Sequence, residues 1–216
     1  MKNLFLLIFT LSIVTSCVQV REVKDVVTLT QNVQRIAVLP LKTTIEHKIW
    51  MKEDKYQDLC HEKSEQLQAK LIKQLEFYQR SGKLPAEIMP ADEVNALLFG
   101  ANYPKTPLND IELCQLLHVD AILIGDISIL EPVSEGAAIA INSLSNGNVS
   151  AMTNYVQMTL RLATATQTQS IWSASTASSG YLGSNKHFMV NRVIRRVVRN
   201  MPYNLRKPRY KKALKG

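Results

Sequence analysis

The spacing of apolar residues changes several times along this chain, and each change marks an element. Leu4 to Val14 is an uninterrupted low-polarity run behind Lys2. At about 11 residues it is shorter than the roughly 20 needed to span a bilayer, and it ends in small residues, as a cleavable export signal does. Val18 to Asn32 shows no sustained period and reads as a polar tether. Arg35 to Leu41, RIAVLPL, is a compact apolar run closed by Pro, the pattern of a buried strand. A polar connection through His47, Trp50 and Lys52 follows. From Asp54 to Arg80 the residues Tyr56, Cys60, Leu67, Leu71, Leu75 and Tyr78 recur at helical spacing, with Lys and Glu between them and Gly82 as the stop, which predicts a long amphipathic helix.

Lys83 to Met89 reads as a short strand, and Pro90 is placed to open a helix over Ala91 to Phe99. A turn-rich loop covers Gly100 to Leu108. Asn109 with Glu112 three residues later fits the reciprocal cap of a helix start. The helix Asp110 to His118 runs directly into Asp120 to Leu130, an apolar strand of the kind covered on both faces in a parallel sheet. After Pro132 the chain turns to Ala, Ser, Asn and Gly through Ala151 and reads as a flexible or weakly structured insert with a turn at Asn146-Gly147. From Thr153 to Thr166, Val156, Met158, Leu160 and Leu162 alternate with Gln157, Thr159 and Arg161. A polar turn at Gln167 to Gln169 then leads to Ser170 to Thr176, so the two runs form a β-hairpin. Lys186 to Met201 closes the series as a helix with Val190, Val193, Ile194, Val197, Val198 and Met201 on one face, ended by Pro202.

These elements predict an α/β fold: a single three-layer-like domain, a mixed sheet flanked by amphipathic helices, with a C-terminal β-hairpin and a terminal helix. The expected division is a signal at 1–16, a tether at 17–32, the α/β domain at 33–202 and a basic tail at 203–216. About 200 residues after the signal suffice for one real core.

Charge adds an asymmetry. The 216-residue chain carries a net charge of +8, yet the last of its 18 acidic residues is Glu135. Ten bases follow Asn191: Arg192, Arg195, Arg196 and Arg199 on the last helix, then Arg206, Lys207, Arg209, Lys211, Lys212 and Lys215. Such a cluster suits anionic lipid headgroups, a polyanionic envelope polymer or an acidic partner, or serves as a solvated face; nucleic acid does not fit an exported chain.

The signal ends in Val14-Thr15-Ser16-Cys17, which resembles the lipobox of bacterial lipoproteins. The resemblance implies cleavage before Cys17 and acylation of that cysteine, with palmitate among its chains, and several acyl chains at one residue give stable attachment. Val18, in place of an aspartate after the cysteine, resembles lipoproteins sorted to the outer membrane, with the domain facing the periplasm. The strand IAVLP, the passage LLHVDAILIGDIS and the hairpin VQMTLRLATATQTQSIWSAS before a helix closing in MP resemble periplasmic lipoproteins of the CsgG and LpoB type. That resemblance implies a fold similar to the N-terminal domain of TolB, and within the group the chain is most similar to small bacterial lipoproteins of unknown function. The turn Thr166-Gln167-Thr168-Gln169 departs from the Thr-Gly-Glu type usual there. The short insert at Glu135 to Met152 cannot supply two membrane-spanning hairpins, each strand of which needs roughly 9 to 11 residues.

Catalytic signatures are missing: there is no G-x-S-x-G elbow, Walker A loop, H-E-x-x-H or paired C-x-x-C. Cys114 and His118 share a helical face and, with Cys60-His61, make the one metal-binding pattern to weigh. Cys60 and Cys114 read otherwise as small buried hydrophobes or a disulfide, which the export compartment permits. Asp120, Asp126 and Glu131 surround one strand and read as its ends and edges. Trp172 belongs under the terminal helix, whereas Trp50, beside His47 and Lys48, is the exposed candidate for a partner contact. The expectation is a noncatalytic lipoprotein of the cell envelope, without cofactor or metal, acting as an assembly, adaptor or regulatory component. Alternatives are a subunit of an oligomeric outer-membrane export complex, with self-association, or an enzyme with an unrecognised site.

Overall fold

A computed structural model describes residues 18–203. Seven strands and six helices follow in the order β1 (Gln19–Glu22), α1 (Val26–Gln31), β2 (Arg35–Val38), β3 (Lys42–Ile45), α2 (Glu53–Arg80), β4 (Glu87–Ile88), α3 (Ala91–Gly100), α4 (Asp110–Leu116), β5 (Ala121–Leu130), α5 (Glu135–Leu144), β6 (Met152–Thr164), β7 (Trp172–Tyr181) and α6 (Lys186–Arg199). The strands form one mixed sheet in the order β1-β7-β6-β5-β2-β4, with β3 also on β5. β5, β6 and β7 are antiparallel neighbours, while β2 and β3 both run parallel to β5.

The sheet separates two apolar layers. On one face Ile36, Val38, Leu123, Leu160 and Leu162 pack with Leu71 and Leu75 of α2 and with Val193 and Val197 of α6. On the other, Ala37, Leu39, Ile122 and Ala163 pack with Val94 and Leu98 of α3, with Leu113 of α4 and with Leu117 just past its end. The alternation along a strand sends neighbouring residues to opposite layers, which explains why β2 and the first half of β5 are apolar without interruption. Val156, Met158, Leu160 and Leu162 are each fully buried, as their period-two spacing requires.

The run Arg35 to Leu41 is a strand only as far as Val38, and a second strand, β3, lies in the stretch read as a polar connection. β2 pairs with Ala121 to Leu123, the ladder breaks at Leu39-Pro40-Leu41, and β3 resumes beside Asp126 to Ile129. Proline has no N–H to give a ladder and interrupts it at that point. The break is held from two sides. The Val38 carbonyl accepts a 2.8 Å hydrogen bond from the fully buried Gln68 amide, which also pairs reciprocally with Asn95. Leu41 fills the space over Gly125, where a Cβ would lie 2.7 Å from its Cδ2, so this strand position accepts only glycine without repacking.

Three further expectations differ from the structure. The stretch read as a tether at 17–32 contains β1, paired antiparallel with β7, and α1, whose Val26 is in the core. The stretch read as a weakly structured insert contains α5, capped by the Ser134 hydroxyl at the Ala137 N–H and closed by Asn146 at φ 49°. Asn accepts this left-handed position better than most residues, and its N–H and that of Gly147 bond back to Ser143 and Asn142 as in a Schellman ending. The strand expected over Lys83 to Met89 shortens to Glu87–Ile88.

The reciprocal cap at Asn109 and Glu112 forms as its spacing requires. α4 stops earlier than expected because His118 takes φ 52°, with the Val119 N–H on Cys114 and the His118 N–H on Gln115. β6 and β7 extend to Thr164 and from Trp172, leaving a connection of residues 165–171 in place of a tight turn.

Candidate functional site

The residues singled out by sequence do not converge on one site. Cys17, the signal at 1–16 and the tail residues Arg206, Lys207, Arg209, Lys211, Lys212 and Lys215 lie outside the described residues. Trp50 stands 73% exposed in the loop before α2, with the Lys48 Nζ 5.5 Å from its ring centre. Trp172 is buried in the layer that holds α6.

Cys114 and His118 do not share a ligand position. Cys114 is 1% exposed inside the second layer, whereas His118 turns out to solvent at the helix end. Cys60 and Cys114 are both free thiols. His61 faces Glu65 at 3.7 Å, and among the described residues no group of three His, Cys, Asp or Glu is placed to hold a metal ion.

The acids near β5 have structural work. Asp120 Oδ2 accepts the N–H groups of Gln34 and Arg35 at 2.8 and 2.9 Å, which fixes the entry to β2. Glu131 pairs with Lys186 at the start of α6, and its own N–H donates to Glu46. Asp126 stays exposed on the sheet. Arg161 of β6 makes a two-point ion pair with Asp110 in the first turn of α4 and donates to the Ser170 hydroxyl, pinning that helix to the sheet.

The four arginines of α6 separate into different roles. Arg192 lies 5.4 Å from the centre of the Phe188 ring. Arg196 reaches back to the sheet, donating to the Ala177 carbonyl at 3.2 Å. Arg195 and Arg199 line a groove between α6 and α2. The helices run in the same direction, with Lys70 and His187 in contact at 3.2 Å near one end of the groove.

That groove is where cations gather. Its first part, about 180 Å³, lies against Lys70, Lys73, Gln74, Asn191 and Arg195. A wider part, about 520 Å³, continues past Phe77 to Arg80 and Arg199. No carboxylate lines either part among the described residues. Burial and the nearby Lys63 ammonium push Lys70 below its ordinary range, as expected of crowded like charges. Phe77 is 54% exposed, with the Lys83 ammonium 5.7 Å from its ring centre.

Half of this arrangement was absent from the sequence reading, which saw Lys and Glu on the outer face of α2 but no site there. The signal was present on the opposite face: Lys63, Lys70, Lys73, Phe77 and Arg80 follow one helical row. Trp50 is far from it, since 17 helical residues separate the start of α2 from Lys70, roughly 26 Å of axis.

No family model matches the chain, and no curated protein sequence matches it. Solved structures with similar coordinates include a PelC dodecamer from Paraburkholderia phytofirmans, at 11% identity and a TM-score of 0.47, covering 88% of this chain and 99% of that one. Lipoprotein GNA1162 from Neisseria meningitidis aligns at 12% identity and a TM-score of 0.43, covering 76% and 95%. The LpoB C-terminal domain from Salmonella enterica aligns at 10% identity and a TM-score of 0.32, covering 71% and 91%.

Proposed function

We propose that this chain is a lipid-anchored, noncatalytic component of the bacterial cell envelope, whose α/β domain acts in the assembly or regulation of an envelope machine. The observation that carries the reading is the junction at Cys17. An export signal ends in a lipobox-like cysteine, and the folded domain begins two residues later at Gln19. Two residues reach about 7 Å at most, so acylation there holds the domain itself at the bilayer surface. No helix among the described residues is long and apolar enough to cross a membrane. Asp120 holds the entry to β2, Asp110 and Glu131 pair with bases and Cys114 fills the core, and a chemically distinctive surface is the basic groove, which is suited to binding.

Replacing Cys17 tests this directly. Cys17→Ala is expected to leave the domain folded and to move the protein from the membrane fraction to the soluble one, because the anchor is chemical and local. Mass measurement of the N-terminal peptide of the wild-type protein should show an acylated cysteine at its start. An intact, unmodified Cys17 in a chain that still begins at Met1 would overturn the reading.

A further inference from the structure

We infer that the groove between α2 and α6 binds an anionic polysaccharide, with Lys73 and Arg195 meeting its carboxylates and Phe77 supporting a sugar ring. This rests on the envelope placement proposed above for access to such a polymer, but not for the chemistry of the site. Three observations combine. The groove is lined by cations from two helices and by no acid among the described residues, so its field is of one sign. It is open and elongated: Lys70 to Arg80 spans ten residues of α2, roughly 15 Å. That is a track for a repeating polymer, longer than a single headgroup.

The third observation separates a glycan from other polyanions. Phe77 is exposed between Lys73 and Arg80, and the amides of Gln74 and Asn191 line the first part of the groove. An exposed ring presents an apolar face to the axial C–H groups of a sugar, and an amide can donate to and accept from its hydroxyls. Guanidinium and ammonium groups supply charge-assisted hydrogen bonds to carboxylates. Aromatic face, amides and cations together match uronic-acid-type units, in which a C–H face, hydroxyls and a carboxylate recur on every ring.

Calorimetric titration of the full-length lipoprotein in neutral detergent micelles with an oligogalacturonate, an equally charged oligoglutamate and inorganic phosphate distinguishes the possibilities; anionic and neutral vesicles form a fourth arm. The expected result is saturable oligogalacturonate binding that falls at least about tenfold in Lys73→Gln/Arg195→Gln and severalfold in Phe77→Leu, with unchanged melting temperatures. Binding should weaken with salt in the wild type, and Phe77→Leu should keep that salt dependence, because the ring contributes no charge. Equal or tighter binding to oligoglutamate, or binding only to anionic vesicles, would overturn the glycan assignment in favour of a peptide or membrane surface. Wild-type affinity in both variants would place any binding outside the groove. The oligogalacturonate and oligoglutamate outcomes do not depend on whether Cys17 carries lipid, and binding through acyl chains would show equally on neutral vesicles, so failure here is separable from failure of the anchor.

Discussion

Cys114 shows how one buried side chain turns a layered fold into a measurable pH response. Its thiol is pushed up to about 12, first by burial and then by the charges of Asp110 and Asp120. In the unfolded chain the same thiol loses its proton near the ordinary value of 9.0. Between those values the unfolded state binds fewer protons than the native one, so stability falls as pH rises through this window and is unaffected by Cys114 below it. Denaturant midpoints measured from about pH 8 to pH 11 should show a decline that Cys114→Ala reduces, whatever the variant costs at neutral pH. At neutral pH the same burial keeps Cys114 a shielded, protonated thiol, and alkylation should label the half-exposed Cys60 first. Equal labelling of both in the native protein would mean that α4 opens readily.

The pairing of β2, β3 and α2 depends on a contact that no local pattern announces. Gln68 occupies a position where helical spacing calls for an apolar residue, and it is fully buried because the Val38 carbonyl and Asn95 use both ends of its amide. Gln68→Leu keeps the volume but strands those partners, and should cost about 1 to 3 kcal/mol in chemical denaturation; no change would mean that water replaces the amide. Legibility follows the same line between local and distant causes. The Asn109–Glu112 cap and the alternation of β6 could be read because partner and spacing lie within a few residues. α5 was missed because its Ala, Ser, Asn and Gly content resembles a loop, although Ser134 and Asn146 mark its ends. The strand after Pro40 could not be placed, since Lys42-Thr43-Thr44-Ile45 is too polar to read as a buried run and finds its partner on β5 more than 80 residues away.

At the scale of the molecule, the layer order and the long helices followed from amphipathic spacing, while the basic groove did not, because it needs α2 and α6 side by side, more than 100 residues apart in sequence. Residues 18–32 carry the largest revision: a span read as a spacer is part of the sheet and core. Val26, 3% exposed, provides the test. Val26→Asp should lower the melting temperature by about 10 °C or more, since it buries a charge in a packed layer, whereas a spacer would tolerate it. The direction in which β1 enters the sheet adds a mechanical property. β1 lies antiparallel to β7 over four residue pairs, from Gln19 opposite Ser175 to Glu22 opposite Trp172. A tug applied at residue 17 and directed along the strand loads those pairs together in shear, instead of peeling them one at a time. β1 is thus fastened to the sheet by a lap joint, able to bear a pull along its length without being surrendered.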